Sequence, residues 1–159
     1  MTRSRRAVVV VLLLFVCLAV FTRAGRAQTP AILINEILVG NAGTTLDADF
    51  VNYSGWIELR NTTGSNINLI NYKLSFLPAG ETVALNGTVK TTLTLPANGR
   101  AIIWADEQNK TKHMAFKMDM DGGQLTLRNP SGGLIDQVTI GAQSPDVSYG
   151  RTPDGGGAW

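Results

Sequence analysis

The residues GWIELRN, at Gly55–Asn61, alternate between apolar and charged side chains. Ile57 and Leu59 fall on one side of this alternation, and Glu58 and Arg60 fall on the other. A period of two residues is that of a β-strand with one buried face, whereas a helix would repeat its apolar positions every three or four residues. The segment therefore predicts a strand that buries Ile57 and Leu59.

Similar short runs recur on both sides of this strand, separated by clusters of Gly, Asn, Pro and Asp. They are rich in β-branched and aromatic residues, which favour strands. No stretch after residue 27 keeps the apolar period of a helix over a helical length. About seven or eight short strands at this spacing predict an all-β sandwich.

The same alternation predicts which side chains fill the core between the two sheets. The predicted core residues are Ile34, Ile57, Leu59, Leu74, Ile103, Leu125, Leu127 and Val138.

Two segments fall outside the strand pattern. The polar residues 106–115 predict a loop or one helical turn, and the Gly-rich residues 152–158 predict a mobile tail.

The first 27 residues have the features of a secretory signal peptide. RSRR at 3–6 precedes an apolar run of 15 residues at 7–21. A membrane-spanning helix needs about 20 apolar residues, so this run is short for an anchor. We expect cleavage after Ala27, with Ala24 as the alternative, and a secreted or extracytoplasmic domain at 28–159. Only an uncleaved leader would hold the protein at a membrane.

Charge and cysteine content exclude several classes of protein. The full chain carries a net charge of +2, but five of its 14 basic residues and none of its 12 acids lie in the leader, which leaves 9 − 12 = −3 for the remainder. Nucleic-acid binding relies on clustered Lys and Arg, so we do not expect it. The only cysteine, Cys17, also lies in the leader, so the domain has no thiol for catalysis, disulfides or zinc.

Six motifs in a fixed order carry a family resemblance. They are INE at Ile34–Glu36, GWIELRN at Gly55–Asn61, NLINYKLS at Asn68–Ser75, the stretch from LP to AIIWA at Leu95–Ala105, GGQLTLRNPSGGLIDQV at Gly122–Val138 and DVSYGRTPDGGGAW at Asp146–Trp159. In this order they resemble the lamin-tail domain of exported bacterial proteins, over about Ile32 to Trp159. The resemblance implies an immunoglobulin-like β-sandwich and a non-catalytic module. Such domains are usually appended to exported hydrolases, surface proteins or anchoring domains, and the family commonly continues past the position of Trp159.

Three side chains are the candidates for acid–base chemistry. Glu36 and Glu58 both lie in strand runs, and a pair of carboxylates could support glycoside hydrolysis. We favour the alternative that they accept hydrogen bonds from turns and strand ends. His113 is the only histidine, so no cluster of several histidines can form, and we expect it to be partly buried at a strand edge. No catalytic residue is assigned.

Loop acids are the only candidate metal ligands. Asp119-Met120-Asp121-Gly122 resembles part of a calcium loop, but the twelfth position from Asp119 is Pro130, which excludes an EF-hand. Asp47 and Asp49 supply two further acids. An irregular calcium site on Asp47, Asp49, Asp119 and Asp121 is therefore the weak alternative to simple turn formation, and no cofactor is assigned.

Because most apolar residues of a sandwich this size fill its core, partner contacts are expected of the loops and of an exposed sheet edge. The loops most available are Gly40–Ser54, Pro78–Lys90 and Asp106–Lys112, and Trp56 is expected to be half-exposed on its strand. The candidate contact residues are Tyr53, Trp56, Glu81, Asp106 and Glu107. The sequence thus predicts a non-catalytic extracytoplasmic interaction, adhesion or targeting module that binds a protein or glycan surface. The alternative is the N-terminal fragment of a longer exported hydrolase or cell-surface-anchored protein; the sequence does not indicate an oligomeric state.

Overall fold

The computed structural model describes residues 29–90 and 92–159, and these residues contain strands and no helix. The expected leader and both of its cleavage sites lie outside this part of the chain. The strands are β1 Ile32–Leu38, β2 Leu46–Asp47, β3 Asn52–Tyr53, β4 Gly55–Asn61, β5 Ile67–Asn68, β6 Lys73–Pro78, β7 Leu85–Thr88, β8 Thr94–Leu95, β9 Arg100–Ala105, β10 His113–Met114, β11 Gly123–Arg128, β12 Leu134–Ile140 and β13 Tyr149–Gly150.

Two larger sheets form the sandwich. The first has five strands in the order β10-β9-β4-β1-β13, and the second has four in the order β12-β11-β6-β7. All neighbours in these sheets are antiparallel except β9 and β10, which are parallel. Two short antiparallel pairs, β2-β3 and β5-β8, are attached to this frame.

The core lies between the two larger sheets. All eight core residues predicted from the alternation are buried, none of them more than 6% exposed. Ile34 and Ile57 of the first sheet belong to the same buried cluster as Leu74 and Leu125 of the second. The all-β sandwich is therefore confirmed, and its buried faces are those that the two-residue period predicted.

The two larger sheets contain nine strands, close to the expected number of about seven or eight, and β10 and β13 among them are only two residues long. Two expectations about other elements were wrong. Residues 106–115 include β10 and form neither a simple loop nor a helical turn. Parallel pairing with β9 supplies backbone hydrogen bonds there that the polar sequence does not reveal.

The Gly-rich tail is the second correction. It was expected to be mobile, but Thr152 N donates to the Ala158 carbonyl at 3.0 Å, and Arg151 Nη1 donates to the Gly156 carbonyl at 2.8 Å. The Trp159 ring stacks on Tyr149 with 5.2 Å between ring centroids. These contacts hold the tail against the sandwich.

No helix in residues 29–90 or 92–159 is long and apolar enough to cross a membrane.

Candidate functional site

His113 stands on the outer face of the five-stranded sheet, at its β10 edge. Parallel pairing places it beside Trp104 of β9, which is paired in turn with Trp56 of β4. Trp56 is paired with Leu38 of β1, so four side chains form a row across the sheet on the side away from the main core.

Trp56 was expected to be a half-exposed contact residue, and this was wrong. Trp56 and Trp104 are only 8% and 4% exposed, and together with Leu38 they form a second, smaller apolar cluster. The strand period correctly placed Trp56 on the face of β4 opposite to that of Ile57. Its burial comes from its neighbours on that face, because each tryptophan covers a large apolar area of the next.

The segment Gly40–Ser54 folds into a hairpin that contacts the His113 end of this row. Its short strands β2 and β3 are antiparallel, with Leu46 opposite Tyr53. The buried Asn41 side chain fastens the base of the hairpin, donating to the Ser54 carbonyl at 2.9 Å and accepting from the Thr44 backbone N–H at 3.2 Å. Short Asn side chains commonly replace backbone hydrogen bonds in turns in this way.

The His113 ring joins the hairpin to the sheet. Its Nδ1 lies 2.7 Å from Asp106 Oδ2, and its Nε2 lies 3.2 Å from Asp49 Oδ2. The Phe50 ring meets it edge-on with 4.8 Å between centroids. His113 is thus a buried edge-strand residue with a carboxylate at each ring nitrogen. Asp106, expected to contact a partner, is instead buried, because its carboxylate faces the imidazole.

Asp47 lies deepest in this group and is completely buried. Its Oδ1 accepts the Asp49 backbone N–H at 3.0 Å. Its Oδ2 lies 3.8 Å from His113 Nδ1 and has no hydrogen-bond partner among the residues that the structure describes. A buried carboxylate oxygen without a donor costs free energy, which makes Asp47 the unusual member of the group.

Asp49 connects the same group to solvent. Its side chain is half-exposed, and Lys112 Nζ lies 3.1 Å from its Oδ2. The hydrogen bond with His113, followed by that with Lys112, lowers the pKa of the Asp49 carboxyl below its usual 3.8. Each of the three residues Asp47, Asp49 and His113 offers one possible ligand atom, and these three atoms lie within 4.8 Å of one another. The three side chains could therefore hold a metal ion.

Of the four candidate calcium ligands, Asp47 and Asp49 belong to this group and the other two do not. Asp119 Oδ1 accepts the Asp121 backbone N–H at 2.9 Å, as expected of acids that initiate a turn. The sequence did not predict that His113 would join Asp47 and Asp49. His113 is 64 residues from Asp49 along the chain, so no local spacing could have indicated it.

The Glu36–Glu58 pair is brought together by the β1–β4 register, in which the two residues are opposite each other. Glu58 Oε1 accepts a hydrogen bond from the buried Asn35 side chain at 2.7 Å and lies 3.5 Å from Arg100 Nε. Asn35 also accepts the Gly155 backbone N–H at 2.7 Å, so Glu58 is part of the network that holds the tail.

The remaining contact candidates lie at two places. Tyr53 lines a groove of about 290 Å³ together with Lys117, and Lys117 Nζ lies 3.0 Å from the exposed Glu107 carboxylate. Tyr53 and Glu107 therefore flank the same surface, next to the His113 group. Glu81 follows β6 and lines a different hollow, with Gln124 and other residues of the four-stranded sheet.

Comparison with known proteins agrees with the motifs and the fold. The sequence model of a family described as Lamin Tail Domain matches residues 26–142, which include β1 to β12, whereas β13 and the tail follow the matched region. A search of curated proteins found no match. The match covers the first five of the six motifs, whereas the sixth, at Asp146–Trp159, lies beyond it; it confirms the lamin-tail family and the immunoglobulin-like β-sandwich that the resemblance implied. This chain belongs to the lamin tail domain family.

Proposed function

We propose that this chain is a non-catalytic extracytoplasmic interaction module that binds a partner surface through its β2–β3 hairpin. The observation that carries the proposal is the exposure of apolar side chains on this hairpin: Leu46, Val51 and Tyr53 are 49%, 79% and 44% exposed. Leu46 and Tyr53 are opposite each other in the hairpin, so their side chains form one patch. Exposed apolar patches on loops of a rigid scaffold are typical recognition surfaces.

The hairpin is held in place before any partner binds. Asn41 fastens its base, and Asp49 and Phe50 contact the His113 ring on the sheet. Lys110 adds a cation–π contact, with Nζ 4.8 Å from the centre of the Phe50 ring. A surface that is already ordered loses less conformational entropy on binding, which favours its use in recognition.

The chemistry of the patch favours a protein over a glycan. Leu46 and Val51 are aliphatic and offer little to a sugar hydroxyl, whereas Tyr53 suits either partner through its ring and its hydroxyl group. We therefore propose a protein partner on a cell surface, with a glycan as the alternative.

The non-catalytic part of the proposal is supported by the contacts of the two best acid–base candidates. Glu58 accepts from Asn35 and faces Arg100, and His113 has a carboxylate at both ring nitrogens. These contacts stabilise strands and the hairpin. Assays with ester, glycoside, phosphoester and peptide substrates should show no turnover; turnover lost in Glu36→Gln, Glu58→Gln or His113→Gln would overturn this part of the proposal.

The extracytoplasmic part is supported by the leader pattern at 1–27. N-terminal sequencing of exported material should begin at or near Gln28. Full-length protein retained in the cytoplasm would contradict it.

Partner binding can be tested with one multiple variant and a matched control. Fluorescently labelled chain is titrated onto intact cells of the source organism, before and after treatment of the cells with protease or glycosidase. We expect protease to abolish binding, and the combined change Leu46→Ser, Val51→Ser and Tyr53→Ser to weaken it by about tenfold or more. Val83→Ser is the control, because Val83 is 73% exposed but lies on the β6–β7 connection. Equal binding by the multiple variant would exclude the hairpin as the contact surface.

A further inference from the structure

We propose that Asp47, Asp49 and His113 form a binding site for a divalent transition metal ion of the zinc type, which fastens the β2–β3 hairpin to the edge of the five-stranded sheet. The site is separate from the exposed patch of Leu46, Val51 and Tyr53 and does not depend on the partner proposed above.

The ligand types favour such an ion over calcium. One imidazole and two carboxylates make a mixed nitrogen and oxygen set, which suits zinc and neighbouring first-row ions. Calcium prefers about six to eight oxygen ligands and gains little from an imidazole. The inclusion of His113 in the group therefore changes the expected metal from the one that the aspartates alone suggested.

The hydrogen bond between Asp106 and the imidazole orients His113 for metal binding. Asp106 Oδ2 lies 2.7 Å from Nδ1, which leaves Nε2 directed toward Asp49. Histidine ligands usually donate their other ring N–H to a carboxylate in this way, which fixes the tautomer and raises the basicity of the binding nitrogen. Asp106 is thus the positioning residue of the site.

The spacing of the donor atoms is close to that of a coordinated ion. Ligand atoms bound at about 2.0–2.2 Å around a tetrahedral ion lie roughly 3.3–3.6 Å apart. Asp49 Oδ2 is 3.2 Å from His113 Nε2, and one donor atom from each of the three residues fits within 4.8 Å. Asp47 Oδ2 lies 3.8 Å from His113 Nδ1. Asp49 is half-exposed, so its side chain is the ligand with room to adjust as the ion binds.

The second, independent observation is the unpaired oxygen of Asp47. Asp47 is fully buried, its Oδ2 points into the group, and no described residue donates a hydrogen bond to this atom. A cation among Asp47, Asp49 and His113 would supply the missing partner and offset the cost of burying the carboxylate.

Solvent can reach the site past Asp49 and Lys112, whose side chains are both partly exposed. Lys112 lies 3.1 Å from Asp49, so an incoming metal ion displaces the ammonium group from that carboxylate. Only the neutral imidazole is a ligand, so His113 would bind the ion through Nε2 while Nδ1–H is donated to Asp106.

The single histidine provides a specific test. The purified chain, with no histidine tag, is stripped of metal and titrated with Zn²⁺ while the ¹⁵N signals of the His113 ring are recorded. We expect one equivalent of Zn²⁺ to shift the Nε2 signal to that of a metal-bound nitrogen and to leave Nδ1 protonated. Co²⁺ at the same site should give a visible absorption band that Zn²⁺ abolishes. Ring signals that do not change with Zn²⁺ would overturn the proposal.

Variants and a second cation complete the experiment. His113→Gln and Asp49→Asn should each weaken Zn²⁺ binding by at least about tenfold in calorimetric titration. Asp49 is half-exposed, so its variant keeps the test valid if His113→Gln does not fold. Asp119→Asn is the matched control and should bind as the parent does, because Asp119 forms a similar turn outside the group. Equal binding by Asp49→Asn, or Ca²⁺ binding tighter than Zn²⁺, would also overturn the proposal.

Discussion

The Arg151 guanidinium donates two hydrogen bonds from Nη2 to the Asp136 carboxylate, at 3.1 and 2.9 Å, with both side chains largely buried. Asp136 Oδ2 also accepts the Ile34 backbone N–H at 2.9 Å, and Arg151 Nε donates to the Ile34 carbonyl at 2.8 Å. Since Asp136 lies in β12 and Ile34 in β1, this pair connects the two sheets at one edge of the sandwich. Its arginine follows the region that the family model matches.

Arg151→Met should destabilise the fold strongly. It leaves the Asp136 carboxylate buried without its cation, which costs about 3–5 kcal/mol in the free energy of unfolding. Urea denaturation measures this loss. Arg128→Met is the control, because Arg128 is exposed and its guanidinium donates to the Gly132 carbonyl, and it should cost less than about 1 kcal/mol. Adding Asp136→Leu to Arg151→Met should recover part of the lost unfolding free energy. If nothing is recovered, the unpaired Asp136 carboxylate is not the main cause of the destabilisation.

Asn61→Ala should cost about 2–3 kcal/mol, because Asn61 is buried and its side-chain amide satisfies several backbone groups. Its Nδ2 donates to the carbonyls of Ser65 and Pro96 at 2.7 and 2.9 Å, and its Oδ1 accepts the Thr63 backbone N–H at 2.9 Å. Thermal and urea unfolding provide the measurement. Asn86→Ala, at an exposed site, should change stability by less than about 0.5 kcal/mol, and equal effects at the two sites would contradict this reasoning.

The stability supplied by Asp49 should depend on pH in the acid range. His113 and Lys112 lower the pKa of the Asp49 carboxyl from its usual 3.8, so the folded state favours the ionised form. This contribution is fully present above about pH 4–5 and is lost as the pH falls through the lowered pKa. The difference in unfolding free energy between the parent and Asp49→Asn, both free of metal, should therefore be larger at pH 6 than at pH 3. An NMR titration showing a raised Asp49 pKa would contradict it.

Gly122→Ala should destabilise the turn that leads into β11. Gly122 has a φ of +93°, and a Cβ there would collide with the Ile140 carbonyl and with Gly141. We expect a loss of at least about 2 kcal/mol in urea denaturation. Gly43→Ala is the matched control, because no described atom beyond its two chain neighbours lies within 4 Å of a Cβ at Gly43, and it should be nearly neutral. If Gly122→Ala leaves the unfolding free energy unchanged, the turn can rearrange around the new Cβ and the prediction is wrong.

The sequence by itself determined the fold class and the main core. Alternation in GWIELRN identified Ile57 and Leu59 as buried because the two-residue period belongs to each strand and requires no knowledge of its neighbours. The same local signal placed Trp56 on the opposite face. It could not show that this face is also covered, because the covering side chains, Leu38 and Trp104, come from other strands.

The His113 group was decided only by the tertiary structure. Asp47 and Asp49 come from the hairpin, and Asp106 and His113 from the segment that follows β9. They meet because β10 pairs in parallel with β9 and the hairpin folds over that edge. A two-residue parallel strand has no periodic signature, and contacts across 64 residues depend on strand order rather than on spacing. The sequence therefore contained every ligand of the proposed metal site, but only the arrangement of the sheet brought them within reach of one ion.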